Sequence, residues 1–450
     1  MTRPRLALGL SGGGDSTALL LALRAAYPDV DQVALIVDHR LRPHSAKEAE
    51  AAACAAEAAG ARARILTWDA PQPGQARARA ARHRLLAAAA RAEGASVLCL
   101  GHTFEDRVET LRMRAARTGP EIRMAGPGRF DPSPVWPEGR ELIIARPLLA
   151  LKRATLRRYL KALGAHWIED PSNEDPAYER VRLRRAPLSP GGALALVRRS
   201  DAAAARRVRL HRQALALIEA AARPLSWGGA ALDAPMFAKA SPPVALKALE
   251  TLALAASGAQ TPPAGDGLAR LLAALAAGRA ASCGGAHLTR EAIMGRDAGA
   301  AGRADGAPAA PALTLSPGET GVFDGRWRIT ARRAATVRAF GARAGCAAAS
   351  APPALRPALA AVEPADDGRA PAILGPETPA GLEPALLWRD RIDARLLPPE
   401  PPTWFDGAKV AAQVRAALAK PARRPNMTVE HGPPSIGEGP GDGRRKEDDT

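Results

Sequence analysis

Cysteine is scarce in this chain. Four residues in 450 are cysteine (Cys54, Cys99, Cys283 and Cys346), and none belongs to a C-x-x-C pair. That argues against a disulfide scaffold, a zinc ribbon and an iron–sulfur site. Cys54 and Cys99 sit in apolar surroundings and read as small core residues. Long apolar runs are missing too. The alanine-rich stretches are broken by Arg, Asp or Glu well before membrane-spanning length, so no membrane partner is expected. The apolar stretch Leu6–Leu10 is short and runs straight into glycines, which does not fit a signal peptide. These absences predict a soluble, cytoplasmic protein. Acids are also in deficit: 46 Asp and Glu face 63 Lys and Arg, a net charge of +17. The balance points to a polyanionic partner such as nucleic acid, with a solvated basic surface as the alternative.

At this length the chain has room for two or three domains. Residues 1–188 alternate strands and helices. The strands are expected at Leu6–Leu10, Gln32–Val37, Arg64–Trp68 and Val97–Leu100. Helices are expected at Ser16–Ala26, Ser45–Ala59, Gln75–Ala92 and Glu105–Arg117. This rhythm predicts a doubly wound parallel α/β sheet, whose ligands bind at the carboxyl ends of the strands. Residues 118–145 are rich in Pro and Gly and read as a mobile excursion. Pro147–Leu163 reads as a helix carrying Lys152, Arg153, Arg157, Arg158 and Lys161. Residues 189–280 read as a helical linker that contacts the polyanionic partner, with one long helix over 191–222. A smaller α+β region is expected over 281–420, with weak periodicity from 348 to 403. Residues 421–450 are polar, charged and rich in Gly and Pro, and read as a disordered tail.

Ser11-Gly12-Gly13-Gly14-Asp15-Ser16 stands between the first strand and the first helix. Such a junction aims backbone N–H groups and the positive end of the helix dipole at one spot, suited to a phosphate. The alternative is a plain strand-to-helix turn with Ser16 as its N-cap. No lysine follows the glycines, so the segment is not a Walker A loop. Its glycine spacing is not that of the dinucleotide fingerprint either.

Three further segments fall at strand ends or just beyond the sheet. Val37-Asp38-His39-Arg40-Leu41-Arg42 ends a strand in an acid and a histidine. Gly101-His102-Thr103-Phe104-Glu105-Asp106 leads into a helix on which Glu105 and Glu109 share a face. These acids compensate the helix dipole, hold Mg²⁺ or take a proton from an attacking amine. Ala145-Arg146-Pro147-Leu148-Leu149 is followed by the polar loop Glu169-Asp170-Pro171-Ser172-Asn173. Beyond it, Arg180, Arg182 and Arg184 alternate, which on an extended strand would put three cations on one face.

Ser-Gly-Gly-x-Asp-Ser resembles the pyrophosphate loop of the N-type ATP pyrophosphatases, the PP-loop or adenine nucleotide alpha hydrolase-like fold. Together with Val-Asp-His-x-Leu-Arg, Gly-His-x-x-x-Asp-x-x-Glu-Thr, Arg-Pro-Leu-Leu and Asp-Pro-Ser-Asn, the order over residues 5–185 resembles the tRNA(Ile)-lysidine synthetase family. That resemblance implies ATP-dependent ligation of free L-lysine to C2 of the wobble cytidine in an isoleucine tRNA with a CAU anticodon. It proceeds through an adenylated base, with ATP as substrate and Mg²⁺ as cofactor, and changes AUG to AUA decoding. It leaves room for a homodimer. By position it implies that Ser11, Gly12, Gly13, Gly14, Asp15, Ser16, Asp38 and His39 bind ATP. Asp15, Asp38 and Asp106 would be catalytic, with Asp15 and Asp106 on Mg²⁺. Glu105, Glu109, Arg146, Asp170 and Asn173 would line the lysine and cytidine side, and Arg180, Arg182 and Arg184 would meet tRNA.

The chain departs from the family pattern at Arg107, His83, Val181 and Thr118, and the lysine-rich final domain of many members is not apparent. A thiolase with the same loop would typically use cysteine pairs, which are absent. A ligase for small molecules would not need the basic stretch over 152–212. A tRNA-binding protein that has lost catalysis would not need Asp15, Asp38 and Asp106.

Overall fold

The computed structural model describes residues 4–40, 44–69, 74–117, 121–169, 179–299, 310–341, 351–363, 371–375 and 378–419. Asp170, Asn173, Cys346 and the tail 421–450 lie outside the described residues. In chain order the first unit contains β1 (Arg5–Gly9), α1 (Gly14–Ala26), β2 (Asp31–Asp38), α2 (Ser45–Ala58), β3 (Arg62–Thr67), α3 (Gln75–Ala92), β4 (Val97–Leu100), α4 (Phe104–Ala115), β5 (Phe130–Pro132), β6 (Ile143–Ala145), α5 (Arg153–Ala162) and α6 (Glu179–Arg185).

The sheet order is β3-β2-β1-β4-β6-β5, parallel except for β5 at the edge. The chain leaves β1 for β2 on one side and reaches β4 on the other, so β1 and β4 flank a topological switch point. Alternation along β1 splits the core: Leu6, Leu8 and Leu10 face α1, α2 and α5, while Ala7 faces α3.

A long helix, α7 (Pro190–Ala221), leads to β7 (Ala222–Pro224), β8 (Ala230–Leu232), α8 (Ala234–Lys239), α9 (Pro242–Ser257), α10 (Gly265–Ala276), β9 (Ala281–Cys283), β10 (Ala286–Leu288) and β11 (Ile293–Arg296). Their shared core takes in residues of helix Trp388–Leu396. The region expected as a helical linker is therefore packed with strands from beyond residue 280. A third unit holds β12 (Leu313–Leu315), β13 (Thr320–Phe323), β14 (Trp327–Ala331), β15 (Ala335–Ala339), β16 (Ala360–Val362), β17 (Ala372–Ile373) and β18 (Leu382–Leu386), in two small sheets. The helix Trp388–Leu396 is α11, and α12 (Gly407–Ala419) ends the described chain.

Four sequence expectations change. Residues 118–145 are not a loose excursion. Beyond 120 they supply a short 3₁₀ turn (Glu121–Met124) and the strands β5 and β6. Between those strands Trp136 is fully buried, donating from Nε1 to the Gly325 carbonyl at 2.6 Å beneath the Arg391 guanidinium. The helix expected over 147–163 begins only at Arg153, after two turns made by Pro147–Leu151. Arg180, Arg182 and Arg184 lie on helix α6, not on a strand. There Val181 is buried, Arg180 and Arg184 are one turn apart, and Arg182 is exposed. Arg112 fixes the end of that helix by donating to the carbonyls of Leu183 and Ala186, both at 2.7 Å. Finally, α12 does not belong with the third unit. Phe405, Val410, Ala411 and Val414 enter the core of the first unit. Tyr27 locks them there, donating from its hydroxyl to the Asp406 carbonyl at 2.7 Å and accepting from the Asp406 N–H at 2.6 Å. Among the described residues, no helix is long and apolar enough to cross a membrane.

Candidate active site

The loop after β1 turns on Gly12, whose φ of +76° suits glycine and whose pro-Cβ space is filled by Ile168 Cδ1 at 2.7 Å. Ile168 N–H closes the turn from the other side by donating to the Gly12 carbonyl at 2.9 Å. Helix α1 starts at Gly14 with Gly13 as N-cap, and no side chain caps it. Ser16 is thus inside the first turn and not the N-cap. Its hydroxyl donates to the Gly13 carbonyl at 2.8 Å and lies 3.1 Å from the Ser11 hydroxyl. The first-turn amides of α1 are left without a side-chain acceptor, the condition that suits an anion.

Gly101, just beyond β4, is pressed against this loop. A Cβ there would lie 2.9 Å from the Asp15 carbonyl oxygen and 3.1 Å from Ser16 Cα. Only glycine lets α1 and the Gly-His segment approach so closely, which brings the two strand-end motifs together. Thr103 then caps α4. Its hydroxyl accepts from the Asp106 N–H, while Asp106 Oδ2 accepts from Thr103 N at 2.8 Å and from its hydroxyl at 2.9 Å. Burial would raise the pKa of Asp106. The charge of Arg153, with the Thr103 hydrogen bonds and His102, outweighs it and holds the carboxyl below the usual range.

Arg153, first residue of α5, ties these acids into one cluster. Its Nε donates to Asp15 Oδ2 at 2.9 Å and another nitrogen to Asp106 Oδ1 at 2.6 Å. The third nitrogen lies 3.5 Å from Glu109 Oε1. Its own backbone N–H donates to Glu105 Oε2 at 3.0 Å, so Glu105 caps α5. Arg184 closes the far side, with Nε 2.7 Å from Glu109 Oε1. Asp15 is pushed above its usual pKa by burial, which the hydrogen bond and charge of Arg153 only partly offset. Its Oδ1 is buried and has no hydrogen-bond partner.

Asp38 ends β2, buried, and accepts from the Arg40 N–H at 2.9 Å. Burial opposes its ionisation, but Ser45, Arg40 and the charge of His39 hold its pKa down. His39 is pushed down by burial and by Arg82, and its Nδ1 has no partner. Leu41 and Arg42 of that motif lie outside the described residues. His102 is driven to about 3 by burial and by Arg146. Its Nδ1 accepts from Arg146 Nε at 3.0 Å, as a neutral ring must. Arg146 also reaches Asp131 Oδ2 at 2.5 Å and the Gly128 carbonyl at 3.0 Å, so its guanidinium is committed to holding β5, β6 and His102 in place.

Sequence reasoning missed a second group. Arg79 and Arg82 on α3 lie near Arg146 and Arg180. Loss of hydration, then mutual repulsion, pushes Arg79 to about 10 and Arg82 down. Among the described residues no acid lies within ion-pair distance of Arg79, Arg82 or Arg180. This patch suits an anion that the described residues do not supply. The spacing Arg-x-x-Arg on one helix face was the available signal. Arg107, a departure from the family pattern, is spent on Asp201 of α7.

The chain's relatives can now be compared. The PP-loop domain family matches residues 1–189. The tRNA(Ile)-lysidine synthase of Caulobacter vibrioides is 39% identical over 343 residues, covering 74% of this chain and 76% of the relative. That of Hyphomonas neptunium is 36% identical over 298 residues, covering 63% and 78%. That of Rhizobium meliloti is 34% identical over 350 residues, covering 74% of each. Among solved structures, the U34-tRNA thiolase NcsA of Methanococcus maripaludis, with its [4Fe-4S] cluster, aligns with a TM-score of 0.36 and 16% identity, over 44% of this chain and 70% of that one.

Proposed function

Because the chain belongs to the tRNA(Ile)-lysidine synthase family, we propose that its cleft ligates free L-lysine to C2 of the wobble cytidine in an isoleucine tRNA with a CAU anticodon. The chain is an ATP-using ligase with a PP-loop domain. The observation that carries the site reading is the contact of Gly101 with the backbone of Asp15 and Ser16, which joins the loop after β1 to the acids after β4.

In this reading the first-turn amides of α1, with Ser11 and Ser16, receive the ATP phosphates. The cytosine O2 attacks the α-phosphorus and pyrophosphate leaves. The lysine ε-ammonium gives up a proton to water, the free amine attacks C2, the C2–O2 bond breaks with its electron pair leaving on AMP, and the new nitrogen sheds its further proton to water. A cytosine carbonyl is a poor electrophile, so adenylation supplies the leaving group, and catalysis rests on positioning and charge neutralisation. Asp106 and Glu109 are already neutralised by Arg153 and Arg184, so in this reading the lysine ammonium enters that cluster by displacing one of those cations. Asp38 and His39 stand beside the nucleotide. The cations Arg79, Arg82 and Arg180 receive tRNA phosphate.

Mg²⁺ is commonly held by one or two carboxylates with substrate phosphates and water. Asp15 Oδ1 fits that role, being buried and unpartnered. Both oxygens of Asp106 are engaged, by Arg153 and Thr103, so Asp106 serves the metal side through Arg153 and Asp15. Bound there, the ion would neutralise charge on the departing pyrophosphate. Among the described residues no cluster of three or more His, Cys, Asp and Glu is arranged for a metal, which leaves substrate oxygens to complete the shell. Assembly as a homodimer is a separate expectation, read by analytical ultracentrifugation.

The test is incubation with ATP, labelled lysine and CAU-anticodon isoleucine tRNA. Label should transfer to tRNA, and Asp15→Ala or Asp106→Asn should abolish lysine- and tRNA-dependent AMP release. Asparagine at 106 keeps a side-chain acceptor for Thr103, so it separates charge from capping. Unchanged turnover in both variants would remove the site assignment.

A further inference from the structure

The loop at residues 11–16 lacks the lysine that a Walker loop uses to meet the outer phosphates. Arg153 and Arg157 are four residues apart on α5 and project from the same face. Arg153 is consumed by the acids, but Arg157 is not. One of its terminal nitrogens is buried and has no hydrogen-bond partner. That nitrogen lies 3.9 Å from Asp15 Oδ1, and the guanidinium carbon stands 5.0 Å from the ring centre of Trp167.

The guanidinium lies in the space a side chain at 14 would take. A Cβ on Gly14 would sit 1.3 Å from that same nitrogen and 2.4 Å from the guanidinium carbon. Gly14 is the variable position of Ser-Gly-Gly-x-Asp-Ser, and its φ is not among the positive ones, so its backbone does not require glycine. The space beside it is taken by the end of a flexible side chain, which a methyl would displace. Glycine at 14 leaves a slot in the wall of the anion loop, and an arginine from a helix more than 130 residues away fills it. A buried guanidinium nitrogen without a hydrogen-bonded acceptor is costly, and Asp15 Oδ1 in the first turn of α1 stands only at ion-pair distance from it, 3.9 Å. An anion at the loop would give that nitrogen and the first-turn amides an acceptor.

We propose that Arg157, admitted by Gly14, binds the pyrophosphate portion of ATP and supplies the cation that the loop itself lacks. This rests on the reading of residues 11–16 as the ATP loop.

Affinities of ATP, inorganic pyrophosphate and AMP, with Mg²⁺ and without tRNA or lysine, are measured by calorimetry for the wild type, Arg157→Gln, Gly14→Ala and the double variant. Arg157→Gln should weaken ATP and pyrophosphate by about 10- to 100-fold, the usual worth of a hydrogen bond to a charged group. AMP should change by no more than about twofold. Gly14→Ala should reproduce that pattern by evicting the guanidinium, and the double variant should be no worse than the poorer single. A structural role alone would weaken ATP and AMP together, which would overturn the proposal, as would unchanged ATP affinity in Arg157→Gln. A wild type that binds ATP while the variants stay normal refutes only this assignment. A wild type that binds neither ATP nor pyrophosphate overturns the loop reading and the proposal with it.

Discussion

Arg153→Met keeps an unbranched apolar stem and removes the one cation shared by Asp15, Asp106 and Glu109. Two of its contacts, at 2.9 and 2.6 Å, are charge-assisted hydrogen bonds. Hydrogen bonds to charged groups contribute about 1.5–3 kcal/mol each, so their loss costs about 3–6 kcal/mol if the acids stay ionised. A carboxyl can escape that cost by taking a proton. From an ordinary pKa near 4, this takes about 4 kcal/mol at pH 7 and about 1.4 kcal/mol at pH 5. Asp15, already pushed up by burial, is the group to do so.

The sign follows. A carboxyl whose folded pKa rises weakens the fold above that pKa, and the penalty fades as pH falls toward its unfolded value. The deficit of Arg153→Met should therefore be about 3–6 kcal/mol at pH 7 and should shrink by up to about 1.5 kcal/mol at pH 5, because a proton on Asp15 relieves only its own share and the Asp106 share remains. Urea unfolding of both proteins from pH 8 to pH 5 reads the difference. Histidines that titrate in this range are common to both proteins and cancel. A deficit constant across pH would mean that Arg153 acts by packing, and would refute the charge argument.

Phe405→Ala should destabilise the first unit by about 3–5 kcal/mol, since the ring is buried against Tyr27 and Phe130. The unfolding transition that ATP protects should drop, whereas Phe237→Ala in the second core should leave that transition in place. Gly101→Ala should lower ATP affinity at least about tenfold by pushing α1 away, because its Cβ would meet backbone and not a movable side chain. Calorimetric ATP affinity equal to the wild type would contradict the close approach. Acidification should also weaken the fold: His83 and His102 are both held near 3, mainly by burial. Their contribution is present above the unfolded pKa of about 6.5 and is lost as pH falls, about 2 kcal/mol each at pH 5. Stability that is flat from pH 7 to pH 5 in the wild type, and unaltered by His83→Gln, would argue against it.

What could be read from the chain was local, and what could not was distant. The glycine loop, the strand-end acids and the alternation of strands and helices are short-range patterns, and the sheet order β3-β2-β1-β4-β6-β5 puts their ends where a doubly wound sheet puts ligands. Thr103-x-x-Asp106 even carries the capping-box signature, although the acid also meets Arg153. The alternating Arg180, Arg182 and Arg184 imitated a strand face, yet burial of Val181 and the grip of Arg112 favoured a helix. No local pattern could reveal that Tyr27 holds Asp406, 379 residues on, or that Arg153 holds Asp15. The same limit applies to Gly14. In sequence it is one more permissive residue in a loop that already has two. Its neighbour appears only in the fold, where the Arg157 guanidinium stands in the space a side chain would occupy. In the proposed reading, the phosphate site is divided between a motif that can be read in six residues and a cation that only the fold delivers.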